Sequence, residues 1–177
     1  ATMINKVYEV IEARNIFNID YKKIEILIHP RSYVHAILKF NNGLTKIIAH
    51  DTTMKIPIFN SLYLNDNKKL NSNKIDINYL NNLDLKIIEL TRFPMVKLLN
   101  FLPTKQSLFE TVIVSANDTL VEMFLKNKIK FIDIQKKLFK IINNKKFLKL
   151  KKKYPRNIRD IVKLNNYVRL KTLKNSI

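Results

Sequence analysis

Near the start of the chain, in "ATMINKVYEVIEAR", an amide, an ammonium and a carboxylate lie close together: Asn5, Lys6 and Glu9. On a helix, residues three or four apart share a face, so Asn5 pairs with Glu9 and Lys6 with Glu9. A carboxylate offers a hard oxygen ligand to a divalent cation. An ammonium offsets anionic charge, and an amide can bond hydroxyl or phosphate oxygens. Such a set could hold a phosphorylated or polyhydroxy ligand beside a metal. The same spacing also describes an ordinary wet helix face with one Lys–Glu pair. The residue types alone leave both readings open.

His29 and His35 are the next candidates. A histidine at a strand end can move a proton, or can simply be a polar residue that has found a hydrogen bond. Their spacing is no zinc signature, and no HExxH occurs. Other chemistries are excluded outright. The chain has one glycine, so neither GxGxxG nor GxxxxGK[ST] can exist, and there is no GxSxG elbow. It has no cysteine, which removes disulfides, thiolate zinc sites and a catalytic thiol.

The elements that must position these groups follow from periodicity. Residues 3–17 read as an amphipathic helix. Met3, Val7, Val10 and Ile11 share its apolar face, with Ile4 and Tyr8 at the flank. Thr2, Asn5, Lys6, Glu9 and Glu12 share the opposite face. A strand is expected over "IEILIHP", ended by Pro30. "YVHAILKF" alternates with a period of two, with His35, Ile37 and Lys39 on one side. Asn42-Gly43 is a hairpin turn signal, and "LTKIIAH" is the returning strand. Residues 58–92 are polar and Asn-rich, and read as a connector with one short strand, "LKIIEL".

From Phe93 onward the pattern is helical, over 93–102, 106–127, 132–150 and 159–173. Pro94 and Pro103 punctuate the first of these, and Ser115 and Asn117 are expected to divide the second. The basic run "KKFLKLKKKYPR" is either a phosphate-binding patch or a solvated helix end. The expected class is α+β: a helix and a small mixed sheet, a connector, then a helical bundle.

Composition sets the outer bounds. A chain of 177 residues, 46% hydrophobic and 27% charged, fits a soluble globular protein of one domain, or one domain with a small satellite. No apolar run approaches the ~18 residues of a bilayer span. No signal-peptide pattern opens the sequence. The formal net charge of +19 suggests a polyanion partner. It is equally the mark of an AT-rich genome, which favours Lys, Asn and Ile codons. Arg, the better forked phosphate ligand, is scarce here.

The pieces also form a pattern in order. "ATMINKVYEVIEAR", "HPRSYVHA", "TTMKIPI", "FPMVKLL" and "VSANDTLVEMFL" resemble the blocks SATMMNKGLEVIEA, HPQSxxHS, PDMRxPI, FPCLKLA and NAANExAVxAFL. These are the marks of 1-deoxy-D-xylulose 5-phosphate reductoisomerases. The resemblance reaches the second half of that enzyme. It implies the end of a catalytic domain over 1–58, a connector over 59–92 and a C-terminal helical domain over 93–177. The NADPH-binding domain and two further acidic metal ligands would lie outside the given sequence, so the fragment alone is expected to bind metal poorly and to be inactive.

The implied reaction is the isomerisation and NADPH-dependent reduction of 1-deoxy-D-xylulose 5-phosphate to 2-C-methyl-D-erythritol 4-phosphate, in non-mevalonate isoprenoid synthesis. The implied cofactors are NADPH and Mg²⁺ or Mn²⁺. Asn5, Lys6 and Ser32 would bind substrate, Glu9 would ligate the metal and meet substrate, His35 would be catalytic and Met54 would lie by the nicotinamide. A homodimer joined through the catalytic-domain sheet is implied, in the bacterial cytoplasm or a plastid stroma, with no nucleic-acid or membrane partner. Val7 departs from the family glycine, Arg31 from Gln, Thr52-Thr53 from Pro-Asp and "SAND" from NAAN-E. The alternative is a repurposed basic protein that binds or scaffolds on RNA or another polyanion.

Overall fold

A computed structural model describes residues 2–63, 68–74 and 76–174. The chain divides into two compact units, one of residues 1–25 with 89–177 and one of residues 26–88.

The first unit is helical. Its opening helix, α1, spans Ile4–Phe17. Met3 is left-handed, with φ 61°, so the helix starts one residue later than its periodicity suggests. Ile4, Val7, Val10 and Ile11 are buried, as the spacing requires. Pro94–Phe101 is a 3₁₀ segment with Pro near its first position, where a missing N–H costs nothing. Its buried Met95 and Leu98 join Val7 and Ile11 in one core.

The long helix α4 (Leu108–Leu125) runs through that core. The Ser107 side chain accepts from the Phe109 N–H at 3.1 Å, and Glu110 Oε2 accepts from the Ser107 N–H at 3.0 Å. This pair is a capping box that fixes the helix start. The expected division at Ser115 and Asn117 does not occur, because both side chains are buried inside the bundle. Ser115 Oγ donates to Asn165 Oδ1 at 2.6 Å, so the hydroxyl finds its partner on another helix instead of competing for the local backbone. Beyond α4 come α5 (Phe131–Ile142) and the short α6 (Lys145–Leu148). The helix expected over 132–150 is thus interrupted, because Asn144 caps a new start by accepting from the Lys146 N–H at 2.9 Å. A 3₁₀ turn over Lys149–Lys152 follows, and α7 (Ile158–Lys174) packs against α4.

The second unit holds the strands. β2 (Val34–Lys39) and β3 (Thr45–Ala49) pair antiparallel, with Lys39 opposite Thr45. The turn is the one anticipated: Gly43 has φ 88° and its N–H bonds the Phe40 carbonyl at 3.1 Å. The register shifts between Val34 and Ala36, which makes His35 the extra residue of a bulge. β1 (Leu27–Ile28) and β4 (Lys86–Ile87) form a second, separate antiparallel pair. The α+β class stands, but the expected mixed sheet is two antiparallel pairs. Two helices interrupt the segment read as hairpin exit and connector, α2 (Lys55–Leu62) and α3 (Ile77–Asn81). Part of the connector, residues 64–67 and 75, lies outside the described residues. Among the described residues of this unit only Tyr33 is buried, and its ring meets Tyr79 edge-on at 5.8 Å. No helix among the described residues is long and apolar enough to cross a membrane.

Candidate functional site

On α1 the anchoring and the presenting residues alternate. Val7 and Ile11 lock one face into the core, so Asn5, Lys6 and Glu9 are held outward. Lys6 Nζ donates to Glu9 Oε2 at 2.7 Å, with side chains 46% and 55% exposed. At that exposure the ion pair adds little to stability, about 0.5 kcal/mol at most. Its geometry has the larger consequence, since one ammonium and one carboxylate are fixed side by side. Val7 has no exposed surface, so its methyl groups, absent from a glycine, fill core space and leave the polar face untouched.

As a cation site this face is chemically apt and incomplete. Glu9 supplies one hard oxygen donor of the kind Mg²⁺ and Mn²⁺ prefer. Among the described residues no group of three or more His, Asp or Glu side chains comes together.

The phenol oxygen of Tyr8, on α1, and Oδ1 of Asn117, on α4, are both buried. Burial pushes the Tyr8 phenol well above its usual range, and the nearby Asp118 carboxylate adds to the rise against a smaller opposing pull from Asn117. At the other end of α1, Arg14 donates to the Thr104 carbonyl at 2.6 Å and approaches Glu110 Oε1 at 3.7 Å.

In the second unit, Ser32 sits in a left-handed turn with φ 51°, its N–H bonded to the His29 carbonyl at 3.0 Å. His29 Nδ1 bonds the Leu83 carbonyl at 2.5 Å, which ties it to the backbone of the second strand pair's approach. His35 is exposed, and its Nδ1 donates to the Tyr33 carbonyl at 3.0 Å. The His50 ring stacks on it, with centroids 3.6 Å apart and planes 15° from parallel. Met54 stands at the start of α2, 69% exposed. Thr53 turns the chain into that helix by accepting from the Lys55 N–H at 3.3 Å.

The structure therefore brings Asn5, Lys6 and Glu9 together on one helix face and places Ser32, His35 and Met54 in the strand unit. Sequence reasoning missed His50. The turn at Gly43 brings the residue after β3 back towards the start of β2, but the bulge at His35 shifts the register there, so the hairpin signal alone did not reveal the pairing.

The family model described as the DXP reductoisomerase C-terminal domain matches residues 50–171. The 1-deoxy-D-xylulose 5-phosphate reductoisomerase of Pelagibacter ubique is 60% identical over 177 residues, covering 100% of this chain and 46% of that protein. The enzyme of the same name from a Sulfurihydrogenibium species is 34% identical over 150 residues, covering 85% of this chain and 40% of its own. Among solved structures, a reductoisomerase from Zymomonas mobilis in complex with NADPH superposes with a TM-score of 0.83 at 27% identity, covering 99% of this chain and 45% of that one. A DOX-P reductoisomerase with fosmidomycin and magnesium gives a TM-score of 0.88 at 25% identity, with 99% and 45% covered. The chain spans less than half the length of these relatives.

Proposed function

The chain belongs to the 1-deoxy-D-xylulose 5-phosphate reductoisomerase family, and from that premise we propose that it carries part of that enzyme's substrate and metal site. The observation that carries this reading is the outward pair on α1, Lys6 beside Glu9, at the positions where the family motif has its substrate lysine and metal carboxylate. The proposed activity is the isomerisation and NADPH-dependent reduction of 1-deoxy-D-xylulose 5-phosphate to 2-C-methyl-D-erythritol 4-phosphate. Functional boundaries are proposed at 1–58 for the end of the catalytic domain, 59–92 for the connector and 93–177 for the C-terminal domain.

Each residue has a task in this scheme. Glu9 would supply one carboxylate ligand to Mg²⁺ or Mn²⁺, and by the family pattern two further acidic ligands would come from a segment outside the given sequence. The ion held there would supply Lewis-acid polarisation of the substrate's oxygens, of the kind that eases rearrangement of a carbon skeleton. Lys6 offsets the substrate's negative charge, and Asn5 bonds its oxygens. Lys6 bonds Glu9 through Oε2, and an ammonium with three donors and a carboxylate with two oxygens can each meet a further partner without breaking that bond. Ser32 binds substrate from the turn before β2, His35 holds or moves a proton, and Met54 packs by the nicotinamide of NADPH.

The proposed assembly is a homodimer joined through the hairpin. Its support is the exposure of Phe40, Leu44, Ile47 and Ile48, an apolar surface of the kind that marks an interface. The proposed setting is the bacterial cytoplasm, with a plastid stroma as the alternative. The polyanion-scaffold alternative finds no support among the relatives.

The test is Glu9→Gln in the enzyme assembled with its NADPH-binding domain. Turnover is expected to fall by roughly two orders of magnitude or more while the circular dichroism spectrum is unchanged. Near-normal turnover refutes the metal role.

A further inference from the structure

We infer that His50 is a positioning residue for His35, stacking on it and fixing which of its ring nitrogens carries the proton. The inference rests on the reading above for the catalytic role of His35; the stack itself stands on geometry alone.

Three observations meet at one carbonyl. The Tyr33 carbonyl accepts the His35 Nδ1–H at 3.0 Å. It also accepts the His50 backbone N–H at 3.1 Å. The His50 ring then lies over the His35 ring at 3.6 Å, nearly parallel. Tyr33 is itself the one buried residue among the described residues of its unit, so the carbonyl that both histidines share has a fixed seat. The second ring is pinned in turn, because His50 Nδ1 donates to the Asp51 carbonyl at 2.6 Å.

The bulge explains why this needs a device. A bulged residue leaves the ladder, and its side chain is re-aimed away from the strand's alternation. His35 is that residue. The backbone bond selects Nδ1 as the protonated nitrogen and leaves the lone pair on Nε2, and the stack holds the ring in the plane that makes that bond. His50 also lines a cavity of about 400 Å³, whose other titratable lining residues are Asp51, Lys68 and Tyr33.

The experiment has two readouts. Long-range ¹H–¹⁵N correlation of the imidazoles, on this 177-residue chain at about pH 8.5, reads the tautomer of each of its three histidines. The wild type is expected to show His35 in the Nδ1–H form. His50→Ala is expected to move His35 to a mixture of both forms, and His50→Phe, which keeps a flat ring to stack on, to restore the Nδ1–H form. The His29 signals, bonded to the Leu83 carbonyl in the same unit, report whether each variant still folds. The second readout is turnover of the assembled enzyme: kcat about tenfold lower in His50→Ala with KM nearly unchanged, and within about twofold of wild type in His50→Phe. A His35 that keeps its Nδ1–H form in folded His50→Ala overturns the positioning role. A tautomer shift without any change in kcat leaves the stack intact and overturns the catalytic role of His35 instead.

Discussion

Lys6 and Glu9 show how little of a site's chemistry its stability reveals. The pair is exposed, and its removal would barely register in a melting curve. Its neighbour Tyr8 faces inward and behaves in the opposite way. The folded phenol is held above its usual range, chiefly by burial. In the unfolded chain a phenol loses its proton near pH 10. Between that value and the higher folded one, only the unfolded state is deprotonated, so alkali favours unfolding. The stability is therefore fully present below about pH 10 and lost as pH rises through the folded value. Tyr8→Phe is expected to flatten that loss. Urea midpoints at about pH 8 and about pH 10.5 would show it, as a drop in the wild type that the variant shares only in part, because Tyr21 is raised as well.

At the scale of elements, the two best-signalled starts and turns are also the most testable. Ser107→Ala removes the α4 cap and leaves Glu110 Oε2, which also accepts from the Ser107 hydroxyl at 2.7 Å, with one partner fewer. A loss of about 1–2 kcal/mol in urea unfolding is expected. Gly43→Ala has open space for its methyl group, and its cost is conformational, about 1 kcal/mol from a φ of 88°.

The hairpin turn was legible because its signal is local: Asn42-Gly43 between alternating strands carries its instruction in adjacent letters. The Ser107–Glu110 capping box, three residues apart, was passed over, and the expected helix begins at Gln106, one residue before its cap. The other failures were of another kind. Ser115 and Asn117 read as a break because their polar demand is visible in sequence, whereas the bond of Ser115 to Asn165 on α7 and the burial of both side chains are not. Residues 24–30 read as a strand because their alternation is good, yet only Leu27–Ile28 find a pairing edge. The polar face of α1 was readable from periodicity. The stack of His50 on His35 was not, because it depends on a bulge that shifts the register by one.

At the scale of the molecule, the hairpin presents apolar side chains from both of its faces. Ile47 is 48% exposed and Leu44 60%. Ile47→Glu in the assembled enzyme is expected to lower the apparent mass in sedimentation equilibrium from dimer toward monomer. A variant that stays dimeric would place the interface elsewhere. The distribution of buried side chains has a thermodynamic consequence as well. One unit holds a continuous core from Val7 to Val168, and the other buries Tyr33 alone among its described residues. Resistance to local opening follows local burial, so amide protons of the hairpin should exchange with solvent while those of α4 remain protected. A melting curve followed by helical signal would chiefly report the unit that holds the core, and leave the hairpin to be followed by exchange.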